Sequence, residues 1–445
     1  MCNQKAQSMI PVSASSYWMN LLAVSLFFAS LFIFSNTFPA IGSLLLTTLS
    51  LLCTIIPLWL YDFCVLKVQN RSSTELSRQP GPIDRERLVI KLIGLYGTFL
   101  IILLIYLFVD RYYPLSALKK FFSFLDLVGP WILIVSFFYF SELDRRQTNP
   151  CDSYWHMGCL LTGQFSKVNS TFLKEHARVW FIKSFFTPFL LVILVNYVET
   201  LQSFKGAGQD FMFWHSFGLD LLYLIDVLYG VLGYILTCRL FDTHIRSTDP
   251  TFLGWLVCLM CYEPFAKNFG IGLFHYEDGF YWNDWFAFLP IYKYFYAGAI
   301  LFFSLIYALA TVAIGYRMSN LTYRGLITSG PYRFTKHPAY LCKVASWWLI
   351  SLPFFSVEGP GVAVKYSLAL GVISVIYYLR AKTEENHLAN YPEYVEYAKW
   401  IDQHGIFKSF KKRFPALQFS EEKCKRWGSV VWFKRVRSKG NEAFL

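Results

Sequence analysis

Charge is what this chain has least of. Only 16% of its 445 residues are Asp, Glu, Lys or Arg, while 55% are apolar; ordinary soluble domains carry about 25% charged residues. So few ionised groups exclude a soluble globular fold and leave a multi-span membrane protein as the class. Cysteine offers no framework either. The ten present are scattered and lie largely in apolar runs, as at Cys53, Cys238, Cys258 and Cys261. The C-x-x-C of Cys258 and Cys261 has no second pair and no paired histidines, so it reads as packing in lipid and no metal is expected. Internal repeats and long low-complexity tracts are absent. So is any recognisable nucleic-acid-binding module, which assigns the net charge of +12 to anionic membrane surface and not to nucleic acid.

What is present is a series of apolar runs of about 20 residues, the length of a bilayer crossing. They cover roughly Tyr17 to Phe34, Thr37 to Leu60, Leu88 to Val109, Phe124 to Leu143, Arg178 to Val198, Phe217 to Cys238, Phe252 to Tyr262, Lys293 to Tyr316, Tyr340 to Val357 and Val362 to Leu379. Phe252 to Tyr262 is short and runs into Glu263, Pro264 and Lys267, which suits a re-entrant or broken helix. The fold expected is therefore all-α, a polytopic transmembrane helix bundle of about 9–10 spans. It ends in a C-terminal helical hairpin with interfacial or cytosolic helices beyond it. The first run is followed at once by another, so it is expected to stay as a signal anchor and not to be cleaved.

Lys and Arg accumulate in short cytoplasmic loops. An even number of spans with cytoplasmic termini puts Lys67, Arg71, Arg78, Arg85, Arg87, Arg145, Arg146, Lys167, Lys174, Arg239, Arg246, Arg317, Arg324, Arg333 and Lys336 inside. Arg111, Lys119 and Lys120 are the exceptions outside. Beyond residue 407 the tail is basic, with Lys408, Lys411, Lys412, Arg413, Lys423, Lys425, Arg426, Lys434, Arg435, Arg437 and Lys439 against Glu421, Glu422 and Glu442, and attraction to anionic lipid accounts for it.

Chemistry concentrates in Gly330-Pro-Tyr-Arg-Phe-Thr-Lys-His-Pro-Ala-Tyr340 and Arg380-Ala-Lys-Thr-Glu-Glu385. Two apolar runs of 18 residues join them, broken at Glu358-Gly-Pro-Gly361. Each run makes about 27 Å of helix, so the hairpin is expected to return Arg380 to the membrane face that holds His337. Gly330-Pro331 forces a turn and Pro338 restarts a helix, which puts His337 at its cap, beside unpaired backbone N–H groups. Tyr332 and Tyr340 offer aromatic walls; Arg333 and Lys336 offer charge for a carboxylate or phosphate. Simple interfacial anchoring explains any one of these residues. The full set bracketing one hairpin is harder to explain that way.

These residues resemble the signature of the isoprenylcysteine carboxyl methyltransferase and phospholipid methyltransferase family of integral membrane enzymes. The resemblance covers about residues 321–407. It rests on Gly330-Pro-Tyr-Arg, His337-Pro338, Tyr340, Arg380-Ala-x-x-Glu384-Glu385 and a Tyr-x-x-Tyr element at Tyr391 and Tyr394 or Tyr394 and Tyr397. It implies S-adenosylmethionine as cofactor, bound by Tyr332, His337, Pro338, Tyr340, Arg380, Glu384 and Glu385, with His337, Arg380 and Glu384 as catalytic residues. It also implies a lipid or lipidated acceptor. The chain departs from the family pattern at Cys342, where glycine is usual, and at Lys343, where an apolar residue is expected. Two alternatives stay open: an NADPH-dependent sterol-type reductase of similar ten-span fold, and a non-catalytic lipid-binding or transport protein.

The chain divides into a transmembrane region at 1–290, a methyltransferase-like region at 291–407 and the basic tail at 408–445. The first region carries two polar clusters, Asp144 to Asp152 with Tyr154-Trp155-His156, and Arg239 to Arg246 with Asp249, besides Asp220 and Asp226 within an apolar run. Ion pairing between helices would explain the loop clusters. Substrate selection through His156, His244 and Arg246 is the sharper expectation. Oligomeric state is not legible.

Overall fold

The computed structural model describes residues 10–112, 118–203, 210–422 and 424. Most of the basic tail, including Lys423, Lys425, Arg426, Lys434, Arg435, Arg437, Lys439 and Glu442, lies outside them. Among the described residues the chain is all-α apart from one two-residue strand pair, β1 (Ser247–Thr248) antiparallel to β2 (Thr322–Tyr323). Eight helices are long and apolar enough to cross a membrane, which makes this an integral, multi-pass membrane protein.

The chain forms two compact units that do not follow chain order. One comprises residues 15–248 and 311–325. It holds α1 (Tyr17–Thr37), α2 (Ser43–Leu60), α3 (Arg85–Tyr112), α4 (Lys119–Arg146), α5 (Ser153–Leu161), α6 (Ser170–Gln202) and α7 (Phe211–Ile235). Side-chain oxygens start the last three: Asp152 accepts from the N–H of Tyr154 and Trp155, Asn169 from Thr171, and Asp210 from Phe213. Phe27, Leu46, Leu191, Leu194, Leu224, Leu228 and Tyr229 build the core. The short α5 packs on α3 with the backbones nearly touching. A Cβ on Gly94 would come within 2.0 Å of the Tyr154 carbonyl, and one on Gly158 within 1.9 Å of the Ile90 carbonyl. Only glycine permits that crossing.

The other unit comprises residues 1–14, 249–310 and 326–445. It holds α8 (Phe252–Leu259), most of α9 (Pro290–Ile314), α10 (Pro338–Ser351), α11 (Pro360–Leu388), α12 (Pro392–His404) and α13 (Lys408–Arg413). α9 to α12 each begin with proline, which has no N–H to satisfy and a φ already set for the first turn. The hairpin is present, but its arms are unequal. α10 has 14 residues where an 18-residue run was expected, and α11 has 29. The chain leaves α10 at Leu352, a buried residue with φ 43°, just before Pro353. It turns back through Gly359 at φ 107°. Asp278 fixes the turn, accepting from the Ser356 hydroxyl at 2.8 Å and the Val357 N–H at 3.1 Å. Phe252 to Tyr262 is likewise short, an eight-residue helix instead of a span. These two segments account for the difference between ten apolar runs and eight long helices.

Candidate functional site

The sequence around His337 folds as expected from its prolines and glycine. Gly330 to Arg333 makes a tight turn with Pro331 at its start, and His337 immediately precedes α10, whose first residue is Pro338. The Tyr397 hydroxyl on α12 donates to the Tyr332 carbonyl at 2.7 Å, tying this turn to the C-terminal helix. α11 then brings Arg380, Glu384 and Glu385 to the same place.

The centre is an imidazole between two carboxylates. His337 Nε2 donates to Glu385 Oε1 at 3.2 Å, and its Nδ1 lies 4.0 Å from Glu384 Oε2. Glu385 is buried and also accepts from two ammonium groups, Lys336 Nζ at 2.6 Å and Lys382 Nζ at 2.9 Å. Its acceptor capacity is largely committed inside the protein. Glu384 differs. Its side chain is 45% exposed, and its one hydrogen bond comes from the Tyr340 hydroxyl at 3.1 Å. Burial pushes the Lys336 ammonium below its ordinary range, against the pull of Glu385.

Aromatic rings organise the cations. The Arg380 guanidinium carbon lies 5.1, 5.3 and 5.5 Å from the ring centres of Tyr340, Tyr377 and Tyr262. The His337 ring lies nearly parallel to Tyr340, centroids 5.8 Å apart. Tyr340 is thus engaged by both neighbours, which leaves less of its ring for a further cation than the sequence implied. Lys343 stands within 5.4 to 5.9 Å of Tyr307, Trp347 and Tyr377. No carboxylate among the described residues lies within ion-pair distance of it. Cys342 is buried.

The residues present leave acceptors and donors for a polar cofactor. Among the described residues, the Tyr394 hydroxyl and the Asn386 side-chain carbonyl are buried without a hydrogen-bond partner. Burial, and then the charges of Glu385 and Glu384, hold the Tyr394 phenol well above its ordinary value, so it stays an O–H donor. With half-exposed Glu384 these atoms fit a ligand rich in hydroxyl and amino groups.

The sequence-predicted residues of the first cluster in the other unit form a closed ion-pair network. Arg87 grips Asp144 with two N–H donors at 2.7 and 2.8 Å. Lys91, with a fully buried side chain, reaches Asp144 at 3.2 Å, Gln147 at 3.2 Å and Asp152 at 3.7 Å. His156 stacks on Phe172 and accepts the Asn169 N–H at 3.4 Å, and burial lowers its pKa. The second cluster centres on Asp242, which Arg246 and Arg317 reach at 3.0 and 3.3 Å.

Sequence reading missed Tyr262, Tyr377 and Lys382. Tyr377 precedes Arg380 by three residues, a helical spacing that places both on one face and signals the contact. Tyr262 comes from a segment more than a hundred residues away, and nothing local announces it.

The fold and site define a class, an all-α multi-pass membrane protein with a charged and aromatic cluster at one end of a helical hairpin. Comparison with protein families, curated proteins and solved structures finds no match to the chain.

Proposed function

We propose that this protein is an integral membrane methyltransferase that uses S-adenosylmethionine and acts on a lipid or lipidated acceptor. The observation that carries the reading is the convergence of His337, Tyr340, Arg380, Glu384 and Glu385, with the Tyr394 hydroxyl close enough to feel both glutamates. The accumulation of Lys and Arg in the loops supports a cytoplasmic side for this site, where such a cofactor is dissolved.

Glu384, Asn386 and Tyr394 would hold ribose hydroxyls and the cofactor's amino groups. Arg380, oriented by three tyrosines, offers positive charge to the methionine carboxylate. Glu385 positions His337 and Lys336 instead of meeting ligand. Bound cofactor supplies the methyl group. A carboxylate acceptor is already ionised near neutral pH and needs alignment and exclusion of water. An ammonium acceptor must first lose a proton, which a carboxylate or imidazole of the site would have to take.

Calorimetric titration of purified full-length protein tests the reading. Saturable S-adenosylmethionine binding that is lost in Glu384→Ala and His337→Ala supports it. Saturable binding of NADPH in its place would overturn it in favour of a reductase, and binding of neither would leave a lipid-binding or transport protein.

A further inference from the structure

The Asp242 cluster carries more positive charge than its carboxylates neutralise. Asp242, on the loop after α7, has a side chain only 1% exposed and meets three guanidiniums: Arg71 at 3.4 Å, Arg246 at 3.0 Å and Arg317 at 3.3 Å. Arg317 also donates to the carbonyls of Asp242 and Arg324, both at 2.5 Å. Arg324 is buried beside it and bonded to main-chain carbonyls, those of Gly233, Met318 and Thr243. Asp62 is the second buried acid, and it accepts from the Tyr316 hydroxyl. Three arginines thus face two carboxylates, and Arg324 is met by carbonyls. The charge in excess belongs to the part-exposed rim, Arg71 and Arg246, where an anion from outside can meet it.

The donors for that anion are present. Among the described residues, Arg246 Nε, Arg317 Nε and His244 Nδ1 are buried and have no hydrogen-bond partner. Asp242 itself is held at φ 54°, a left-handed conformation that directs the loop around its carboxylate. Burial, and then the charge of Arg239, push the His244 imidazole down to about 3, so it adds no cation and can donate or accept as a neutral ring.

Position in the chain selects the source of the anion. Arg317 is the last residue of one candidate span, Asp62 lies near the end of another that closes at Val65, and the loop follows a third that closes at Ile235. The ends of membrane helices lie at headgroup depth. Arg71 and Arg246 keep 35% and 19% of their side chains exposed, so the cluster opens outward. Phe241 lies flat on Trp59, ring centres 4.6 Å apart, giving an apolar wall beside it.

We propose that Arg71, Arg246 and Arg317 bind the phosphate of an anionic lipid headgroup, with His244 as an additional hydrogen-bonding group. Guanidinium forks match phosphate oxygens, and the exposed parts of Arg71 and Arg246 present them outward with Arg317 behind. The site is independent of the methyltransferase reading and of the residues that carry it.

Thermal unfolding of the full-length protein in detergent, with added dioctanoyl phosphatidic acid, tests the assignment. Wild type should gain several degrees, dioctanoyl phosphatidylcholine should give no gain, and Arg246→Gln or Arg71→Gln should lose at least half of it. The exposed Arg78→Gln should keep it. Equal loss in Arg78→Gln would reduce the effect to general surface attraction and overturn the site, as would equal gains from both lipids. Inorganic phosphate reproducing the whole gain would overturn the lipid source. If the glutamine variants do not fold, retention of phosphatidic acid over phosphatidylcholine by wild type in native mass spectrometry decides the same question, and no preference sinks the proposal.

Discussion

The carboxylates of the two units are enclosed to different degrees. Asp144, between α3, α4 and α5, is enclosed by Arg87 and Lys91 with its side chain fully buried, and the network closes on itself. In the other unit, Glu385 is closed in the same manner by Lys336, Lys382 and His337, but its neighbour Glu384 is left half-exposed with one hydrogen bond. Adjacent residues on one helix therefore divide two tasks, one holding the cluster together and the other facing outward. A closed network contributes to a unique fold, whereas an open valence beside it is available to a ligand. The Asp242 cluster is a third arrangement, with its anions outnumbered.

The largest effect should come from opening the closed network. Asp144→Asn leaves Lys91 buried without its main counter-charge, and loss of one partner of a buried pair costs about 3–5 kcal/mol. Denaturant or thermal unfolding in detergent should show it, while S-adenosylmethionine affinity of the folded fraction stays at the wild-type value. Gly158→Ala should cost about 1–3 kcal/mol by forcing α5 off α3, read from the same unfolding curves. An unchanged midpoint would contradict the close crossing. Glu384→Gln should invert the pattern of Asp144→Asn. Stability should stay within about 0.5 kcal/mol of wild type, as for surface substitutions, and cofactor affinity should fall about tenfold, near the 1.4 kcal/mol of one lost charge-assisted hydrogen bond. Equal losses of stability in the two variants would erase the distinction.

The smallest effect is one of pH. His244 has its folded pKa lowered from 6.5 to about 3, so the unfolded chain binds the proton more tightly. Stability from this group is complete above about pH 6.5 and falls as pH drops toward 3. His244→Gln removes that proton uptake. The variant's thermal midpoint should therefore decline less than wild type's between pH 6.5 and 4, and parallel declines would show that His244 is not the group responsible.

The long apolar runs were readable because a span needs length and hydrophobicity and little else. The hairpin return that joins His337 to Arg380 was readable too, through Gly359 and the prolines. The length of α10 was misjudged because hydropathy continues past Ser351 although Pro353 ends the helix there. Within the site, residues close in the sequence were legible as a group. The distinction between Glu384 and Glu385 was not, because it depends on where Lys336 and Lys382 come to rest. Tyr262 is a contact across distant segments, invisible to any local pattern. Ion pairing at the Asp144 cluster was legible in outline, but its partners Arg87 and Lys91 come from a distant segment that no local pattern names.

α11 runs 29 residues from the turn pinned by Asp278 to the last turn that carries Glu384 and Glu385. That is roughly 43 Å of continuous helix, against about 30 Å of hydrocarbon. The acidic pair is therefore set at a fixed height by a rigid ruler whose zero mark lies at the opposite end. In a bilayer of longer acyl chains the headgroups would rise along that ruler while the carboxylates stay put, so under the proposed function membrane thickness would become a determinant of which amphiphile heads the site can reach.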